Sequence, residues 1–240
     1  MLRAIARANF PAFARMRVLF ALRNCFAEDQ LTEAMTRDIR QYVVLGAGLD
    51  SFSYRRPDLM AALNVFEVDH PASQRWKRER LAELGIVRPP HLHYLEVDFE
   101  RQTFGAGLAD SAVDATEPVL LSMLEVAQYL TKAAMSHTLR DIAATTARGT
   151  EIVLQYVVPA AILQAGDADL VRAWIEDAGS LREPWLSFYE PSEMERHLTD
   201  VGFGQVTHLG PKQAADRYLA HRDDGFLLPG YSRLIHARLR

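Results

Sequence analysis

Residues 41–71 read QYVVLGAGLDSFSYRRPDLMAALNVFEVDHP. The apolar run 42–45, which ends at a glycine, is typical of a strand that is buried on both faces. Gly46-Ala47-Gly48 predicts a sharp turn at which a ligand can approach the backbone, because glycine has no Cβ. A second apolar run, 65–68, ends in Asp69, 21 positions after Gly48. This order of strand, glycine turn, helix and acid-ended strand predicts a nucleoside-binding unit in which the acid contacts the ribose hydroxyls.

The turn differs from a dinucleotide-binding turn in two ways. The third glycine of that fingerprint is missing, and Ser51 occupies its place. Asp50 also lies in the turn, where its carboxylate would repel a diphosphate at the helix N-terminus. The pattern favours a ligand with a nucleoside at one end and positive charge at the other. S-adenosylmethionine fits, since it has an adenosine, a sulfonium and an ammonium, and no phosphate.

The segments LGAGLDSFSYR (45–55) and VFEVDHP (65–71) resemble the bacterial branch of the leucine carboxyl methyltransferase family, which are class I S-adenosylmethionine-dependent methyltransferases. The resemblance runs from about Arg23 to the C-terminus and is densest between Gln41 and Lys77. It implies a Rossmann-like sheet of seven strands, mostly parallel with one antiparallel strand. It also implies an N-terminal helical cover that lies over the cofactor cleft.

The pattern of the whole chain agrees with a doubly wound α/β fold. Strand-like and helix-like segments alternate through five units and close with a strand, a helix and a strand. We find no repeat, low-complexity tract or linker, and expect one domain over 1–240, with a cover of 1–40 and a core of 41–240. The cover is expected to hold two helices, one around 13–20 and one over 27–40. A basic run lies on the helix after Pro71, and we interpret it as a solvated face; it consists of Arg75, Lys77, Arg78 and Arg80.

Composition excludes several classes of protein. The chain has 240 residues, 49% hydrophobic and 24% charged, as in an ordinary soluble protein. A net charge of −4 gives no reason to expect nucleic-acid binding, and no apolar run approaches a membrane span. The single cysteine, Cys25, leaves no intrachain disulfide and no cysteine-based zinc site. We expect a cytoplasmic enzyme without a metal. Residues 1–27 are rich in arginine and free of acids. We expect them to form part of the cover, and a solvated basic helix is the alternative. A transit peptide is also arginine-rich, but the lack of serine disfavours it.

The resemblance implies an anion clamp before the first strand. Family members have an Arg-x-Arg-x-x-Asp-Asp segment there, in which an arginine holds the carboxylate of the cofactor. Arg23 and Asp29 match this pattern, whereas Cys25 and Glu28 do not. The alternative for Arg23 is a surface salt bridge.

Two further cofactor contacts are implied in the same way. Asp98-Phe99 matches a pair beside the adenine, where the carboxylate accepts from the exocyclic amine and the ring packs on the base; a turn or cap is the alternative for Asp98. Glu125, in place of a family glycine, either contacts the ammonium of the cofactor or points to solvent. The predicted cofactor-binding residues are Arg23, Gly46, Ala47, Gly48, Asp50, Asp69, Asp98, Phe99 and Glu125.

The family methylates carboxylates to esters, and bacterial relatives act on small molecules, including polyketides. An ionised carboxylate needs no general base, but it does need a cationic or hydrogen-bonding anchor. Tyr129 and Arg56 are the predicted catalytic residues, with Arg23 and Arg55 as further candidates; alternatively, Arg56 pairs with Asp58. A hydroxyl acceptor would instead need a base, most often histidine.

Two histidines bear on that choice. His70 lies near the expected cleft, but its place before a proline at a helix start favours a structural role. His137 is expected in a helix away from the site.

The sequence thus predicts an S-adenosylmethionine-dependent O-methyltransferase that acts on a small-molecule acceptor. One alternative is a relative that binds the cofactor but is catalytically silent and serves as an interaction module, which Met123 and Glu125 in the substrate loop suggest. The other is a nicotinamide dehydrogenase, which the missing third glycine disfavours.

Overall fold

The computed structural model describes residues 10–98, 101–109, 111–180, 183–222 and 228–240. They form a seven-stranded sheet with the order β3-β2-β1-β4-β5-β7-β6. Its strands are β1 Gln41–Leu45, β2 Asn64–Asp69, β3 Leu92–Glu96, β4 Val119–Met123, β5 Glu151–Val157, β6 Phe203–Leu209 and β7 Ser232–Leu239. Strand β7 is antiparallel to both of its neighbours, and the other pairs are parallel. The predicted seven-stranded, doubly wound sheet with one antiparallel strand is confirmed.

Helices connect the strands. They are α1 Phe10–Met35, α2 Phe52–Arg55, α3 Pro57–Met60, α4 Pro71–Glu83, α5 Phe104–Leu108, α6 Lys132–Thr145, α7 Ala165–Ser180, α8 Pro191–Thr199 and α9 Pro211–Ala214. Short 3-10 turns span Ala127–Tyr129 and Ala160–Ile162. Local sequence signals fix where several helices begin. The side chain of Thr131 caps α6 by accepting a hydrogen bond from Ala134 N, and a proline is the first residue of α3, α4 and α8. Among the described residues, none of these helices combines the length and apolarity that crossing a bilayer requires.

The N-terminal segment differs from the prediction of two helices. Helix α1 is continuous over 26 residues and ends at Met35. No glycine or proline interrupts residues 13–35, and one buried stripe runs along the helix through Leu19, Leu22, Phe26 and Leu31. A single uninterrupted apolar face therefore keeps both predicted pieces in one helix.

The sheet is buried on both faces, as the apolar run 42–45 predicted for β1, and every residue of β4 and β5 is buried as well. On one face, Tyr42, Leu120, Val153 and Leu234 pack in the same cluster as Phe26 of α1. On the other face, the buried cluster contains Val43, Leu121, Ile152 and Ile235 with Met135, Leu139 and Ile142 of α6. The two helical layers leave the carboxyl ends of β1 and β4 as the place for a ligand.

The basic run on α4 is only partly a solvated face, so that interpretation was wrong for one residue. Arg75, Arg78 and Arg80 are exposed, but Lys77 is 4% exposed. Its ammonium points into the protein and lies 2.5 Å from the carboxylate of Glu67 on β2.

A second buried ion-pair network joins the turn after α1 to β5 and β7 through Glu151, whose side chain has no exposure. Arg37 donates two hydrogen bonds of 2.8 Å to its carboxylate, and Nε2 of His236 lies 2.8 Å away. Burial opposes ionisation of Glu151 and is the largest single effect. The bonds from His236 and Arg37 together outweigh it and hold the pKa of Glu151 below its ordinary value.

We expect Glu151→Gln to lower the free energy of unfolding by about 3 kcal/mol at pH 7, because it leaves Arg37 without its buried partner. A carboxyl whose pKa is lowered by folding stabilises the folded state at any pH above its unfolded-state pKa. This stabilisation is lost as the pH falls through the folded-state pKa. The difference between wild type and variant should therefore shrink below about pH 4. Urea unfolding across pH 3–7 measures this, with Asp169→Asn, from an exposed pair with Arg172, as the control. A difference that does not change with pH would contradict this role of Glu151.

Candidate active site

A pocket of about 290 Å³ opens at the carboxyl ends of β1 and β4. Predicted cofactor residues meet there from three separate parts of the chain: α1, the turn after β1 and the loop after β4. Its lining comprises Arg23, Asn24, Val44, Leu45, Gly46, Ala47, Gly48, Leu49, Asp50, Ser51, Leu124 and Glu125.

The glycine turn requires its glycines. Gly46 has φ 66° and Gly48 has φ 46°, a left-handed conformation that L side chains rarely adopt. A Cβ on Gly46 would lie 2.4 Å from Cγ2 of Val126, so the turn passes in close contact with the loop after β4. The amides of Gly46 and Ala47 donate to the carbonyl of Val68 at 2.9 and 3.2 Å, which fixes the start of the turn to β2.

Asp69 fastens the other side of the turn. Its Oδ2 accepts from the amide of Gly48 at 2.5 Å, and its Oδ1 accepts from the amide of His70 at 2.7 Å. Each carboxylate oxygen has a second lone pair, so two acceptor positions remain beside the turn for ligand hydroxyls. His70 itself caps α4, with Nδ1 accepting from Ala72 N at 3.2 Å, which confirms its structural role.

Glu125 lines the pocket, and its carboxylate is held by protein groups. Arg23 lies 3.3 Å from it, Gln128 donates to it at 3.0 Å, and Gln155 donates to its other oxygen. The backbone of Glu125 has φ 58°, which costs a residue with a side chain about 1–2 kcal/mol. A family glycine would adopt this conformation without strain. In this protein the strained backbone at Glu125 places a carboxylate in the pocket lining.

The pocket has an excess of negative charge. Asp50 and Glu125 are two carboxylates in its lining, against the single cation Arg23. Burial lowers the pKa of Arg23 from its ordinary value, while Glu125 and Asp50 act in the opposite direction. A lining with this balance suits a ligand that carries positive charge more than one that carries phosphates.

The predicted adenine pair follows β3. Asp98 is half-buried, with Oδ2 3.4 Å from Nε of Arg101 and 4.0 Å from Nε2 of His70. Phe99 lies outside the described residues.

The two predicted catalytic residues are outside the pocket lining. Tyr129 is 38% exposed at the end of the 3-10 turn after β4, and burial of its ring raises the pKa of its hydroxyl. Arg56 pairs with Asp58 at 2.7 Å, as the alternative proposed, and also with Glu28 at 2.6 Å. Arg55 also pairs with Glu28, so this one acid of α1 is shared by both arginines.

Sequence reasoning missed several residues of the site. Gln128 and Gln155 orient Glu125, yet neither stands in a recognisable motif. His137 lies on α6, outside the lining of this pocket, and lines a second pocket of about 80 Å³ together with Leu45 and Met123.

A seven-stranded sheet in this order, with a glycine turn and an acid-ended second strand at its carboxyl edge, defines the class of S-adenosylmethionine-dependent methyltransferases. The family model of leucine carboxyl methyltransferase matches residues 3–143, more than half of the chain. The chain therefore belongs to the leucine carboxyl methyltransferase family. It is an S-adenosylmethionine-dependent methyltransferase, and its cofactor is S-adenosylmethionine, not the nicotinamide considered above.

Similar proteins support this class. YktD of Bacillus subtilis, named as an S-adenosyl-L-methionine-dependent methyltransferase, is 30% identical over 215 residues, covering 90% of this chain and 70% of YktD. A Mycobacterium marinum protein named in the same way is 32% identical over 221 residues, covering 88% and 70%. A similarly named protein of Mycolicibacterium gilvum is 28% identical, and the match covers 84% of this chain but 60% of that protein.

Solved structures show the same fold. A DUF574 family protein of Streptomyces avermitilis superposes with a TM-score of 0.71 at 18% identity, covering 99% of this chain and 88% of that one. The magnesium protoporphyrin IX methyltransferase of Synechocystis, solved with bound S-adenosylhomocysteine, superposes with a TM-score of 0.56 at 12% identity, covering 93% and 86%.

Replacing Gly46 tests the close contact in the turn. We expect Gly46→Ala to lower the free energy of unfolding by about 3 kcal/mol, since a left-handed alanine is strained and its Cβ would overlap Val126. The variant should also lose affinity for S-adenosylhomocysteine in calorimetry.

Gly85 provides the matched control, because its φ is also positive, 67°, and a Cβ there would meet nothing within 4 Å. Gly85→Ala should lose only about 1 kcal/mol and keep its affinity. Equal effects of the two substitutions would show that the contact with Val126 has no special role.

Proposed function

We propose that the protein transfers the methyl group of S-adenosylmethionine to an oxygen of a small-molecule acceptor, most simply a carboxylate. One observation supports an acceptor that is already ionised, such as a carboxylate: among the described residues that line the cofactor pocket there is no histidine, lysine or cysteine. A nucleophile that is already ionised needs none of these as a base. We also propose a cytoplasmic location and a single domain in which residues 1–40 form the cover over the cleft.

The cofactor residues take the following roles in the proposal. Gly46, Ala47 and Gly48 let the methionine end approach the backbone of the turn, while the free lone pairs of Asp69 accept from the ribose hydroxyls. Asp98 and Phe99 serve the adenine. Each charged group of the methionine end has a residue of opposite charge in the lining. Arg23 pairs with the carboxylate, and Glu125 and Asp50 provide negative charge for the ammonium and the sulfonium.

The chemistry supplied by the bound cofactor is an electrophilic methyl group on a sulfonium sulfur. The protein then has to hold the acceptor oxygen in line with that group and exclude water. Orientation of this kind supplies as much as about 7–11 kcal/mol of the barrier reduction in the best cases. Tyr129 stays a neutral hydrogen-bond donor because the pKa of its hydroxyl is raised, which supports a role as anchor of an acceptor carboxylate rather than as a phenolate base.

Arg56 has a conditional role. Its guanidinium is engaged by Asp58 and Glu28, so an acceptor anion would have to share or displace one of these carboxylates. We therefore propose Tyr129 as the direct anchor and Arg56 as a contributor of positive charge near the cleft.

Calorimetry with S-adenosylhomocysteine tests the cofactor residues. Wild type should bind, and Asp69→Asn should bind at least about tenfold more weakly, because an amide replaces one acceptor oxygen and removes a charge-assisted hydrogen bond. Asp38→Asn, which changes an exposed acid before β1, is the control and should bind as wild type does. Unchanged affinity in Asp69→Asn would rule out the ribose role of this acid.

The acceptor atom is tested by product chemistry. Labelled methyl groups transferred into a metabolite extract should be released as methanol by mild base, because esters are hydrolysed and ethers or N-methyl groups are not. Label that resists base would contradict the carboxylate proposal. Binding of the cofactor with no label transferred to any extract would favour the silent interaction module.

A further inference from the structure

Lys77 and Glu67 form a buried ion pair beneath the glycine turn. Their side chains are 5% and 1% exposed, and Nζ lies 2.5 Å from Oε2. Burial raises the pKa of Glu67 to about 7, and Lys77 acts against that rise. Burying two such groups costs desolvation that the pair does not reliably recover, so the pair is weak evidence for a contribution to stability alone.

The ammonium of Lys77 has a second partner that points to a different role. Nζ also donates to the main-chain carbonyl of Asp50 at 2.8 Å, across 27 positions of sequence. Asp50 and its neighbours Gly48, Leu49 and Ser51 all line the cofactor pocket. Lys77 thus joins the buried side of α4 to the loop that lines the pocket.

This bond completes the attachment of the loop. The start of the turn is bound to Val68, its middle to Asp69, and its end to Lys77. Beyond the carbonyl that Lys77 holds, the Asp50 carboxylate accepts from the amide of Phe52 at 2.7 Å and begins α2. The peptide that follows Asp50 is therefore held by Lys77 at its carbonyl, next to the hydrogen bond that begins α2.

We propose that Lys77 is a positioning residue for cofactor binding, which holds the loop 48–51 through the carbonyl of Asp50 while Glu67 holds its ammonium in place. The proposal rests on the proposed cofactor site. It assigns to a buried lysine on α4 a part of the affinity for the cofactor, although Lys77 is not in the pocket lining.

Calorimetry with S-adenosylhomocysteine and S-adenosylmethionine tests the proposal on Lys77→Met. We expect both dissociation constants to rise by about tenfold, the loss of one hydrogen bond from a charged donor. If Lys77 acted only through its charge, its removal would favour S-adenosylmethionine over S-adenosylhomocysteine, because the sulfonium adds one positive charge. An unchanged ratio of the two constants supports positioning, and a ratio shifted towards S-adenosylmethionine overturns it.

Arg37→Met is the matched control. It also removes a cation from a buried carboxylate, that of Glu151, but at the amino end of β5, three strands along the sheet from β2. Its melting temperature should fall, and its dissociation constants should stay within about twofold of wild type, as expected for distant sites. A comparable loss of affinity in this control would show that lowered stability, and not the loop, explains Lys77→Met.

A double variant covers the case in which Lys77→Met does not fold. Glu67→Gln/Lys77→Met removes both buried charges, which proteins tolerate better than one charge left alone. It should fold and still bind both ligands about tenfold more weakly. Wild-type affinity in the double variant overturns the role of Lys77, whereas a wild type that binds neither ligand overturns the cofactor site itself.

Discussion

The amide of Gly48 and the carboxylate of Asp69 hold together the ends of β1 and β2, and the site depends on this hydrogen bond. It fixes the position of the turn after β1 relative to the sheet. In that position Gly46 lies against Val126, which belongs to the loop after β4. Three strand ends therefore meet within one turn, and a side chain on Gly46 would separate them. The same carboxylate keeps lone pairs beside the turn, so one acid serves both the fold and the proposed ribose contact.

The charge of the pocket follows from how its carboxylates are held. Glu125 adopts a strained backbone conformation, and the network of Arg23, Gln128 and Gln155 stabilises its side chain there. Gln155 is in turn bound to Ser232, so the antiparallel pair β5 and β7 supports the pocket from a distance. Strain of this size persists where the surroundings fix it, and such places are frequently functional.

Sequence patterns were most informative where structure is local. Strands β1, β2 and β4 are short apolar runs bounded by a glycine, an acid and a proline, and the ligand edge follows from the parallel order of such strands. The turn from Gly46 to Asp69 was readable for the same reason. The length of α1 was harder to predict, because two amphipathic stretches have the same sequence pattern whether they form one continuous helix or two separate ones. The continuous buried stripe that joins them becomes visible only against the sheet.

Residues that act at long range left no pattern. Lys77 and Gln74 are buried on a helix whose apolar residues do not mark that face, so a basic run concealed an interior lysine. Glu28, which departs from the family pattern, pairs with two arginines more than 25 positions away. Gln155 reaches Arg23 across 132 positions. Polar contacts between distant segments have no periodicity, and only the folded chain brings them together.

A crystal structure of the protein with S-adenosylhomocysteine bound would show directly whether Asp69 holds the ribose. We expect both ribose hydroxyls within about 3 Å of the Asp69 carboxylate and the ammonium within hydrogen-bonding reach of Glu125. A ligand bound with its ribose away from the ends of β1 and β2, or with its ammonium facing Arg23, would contradict this expectation.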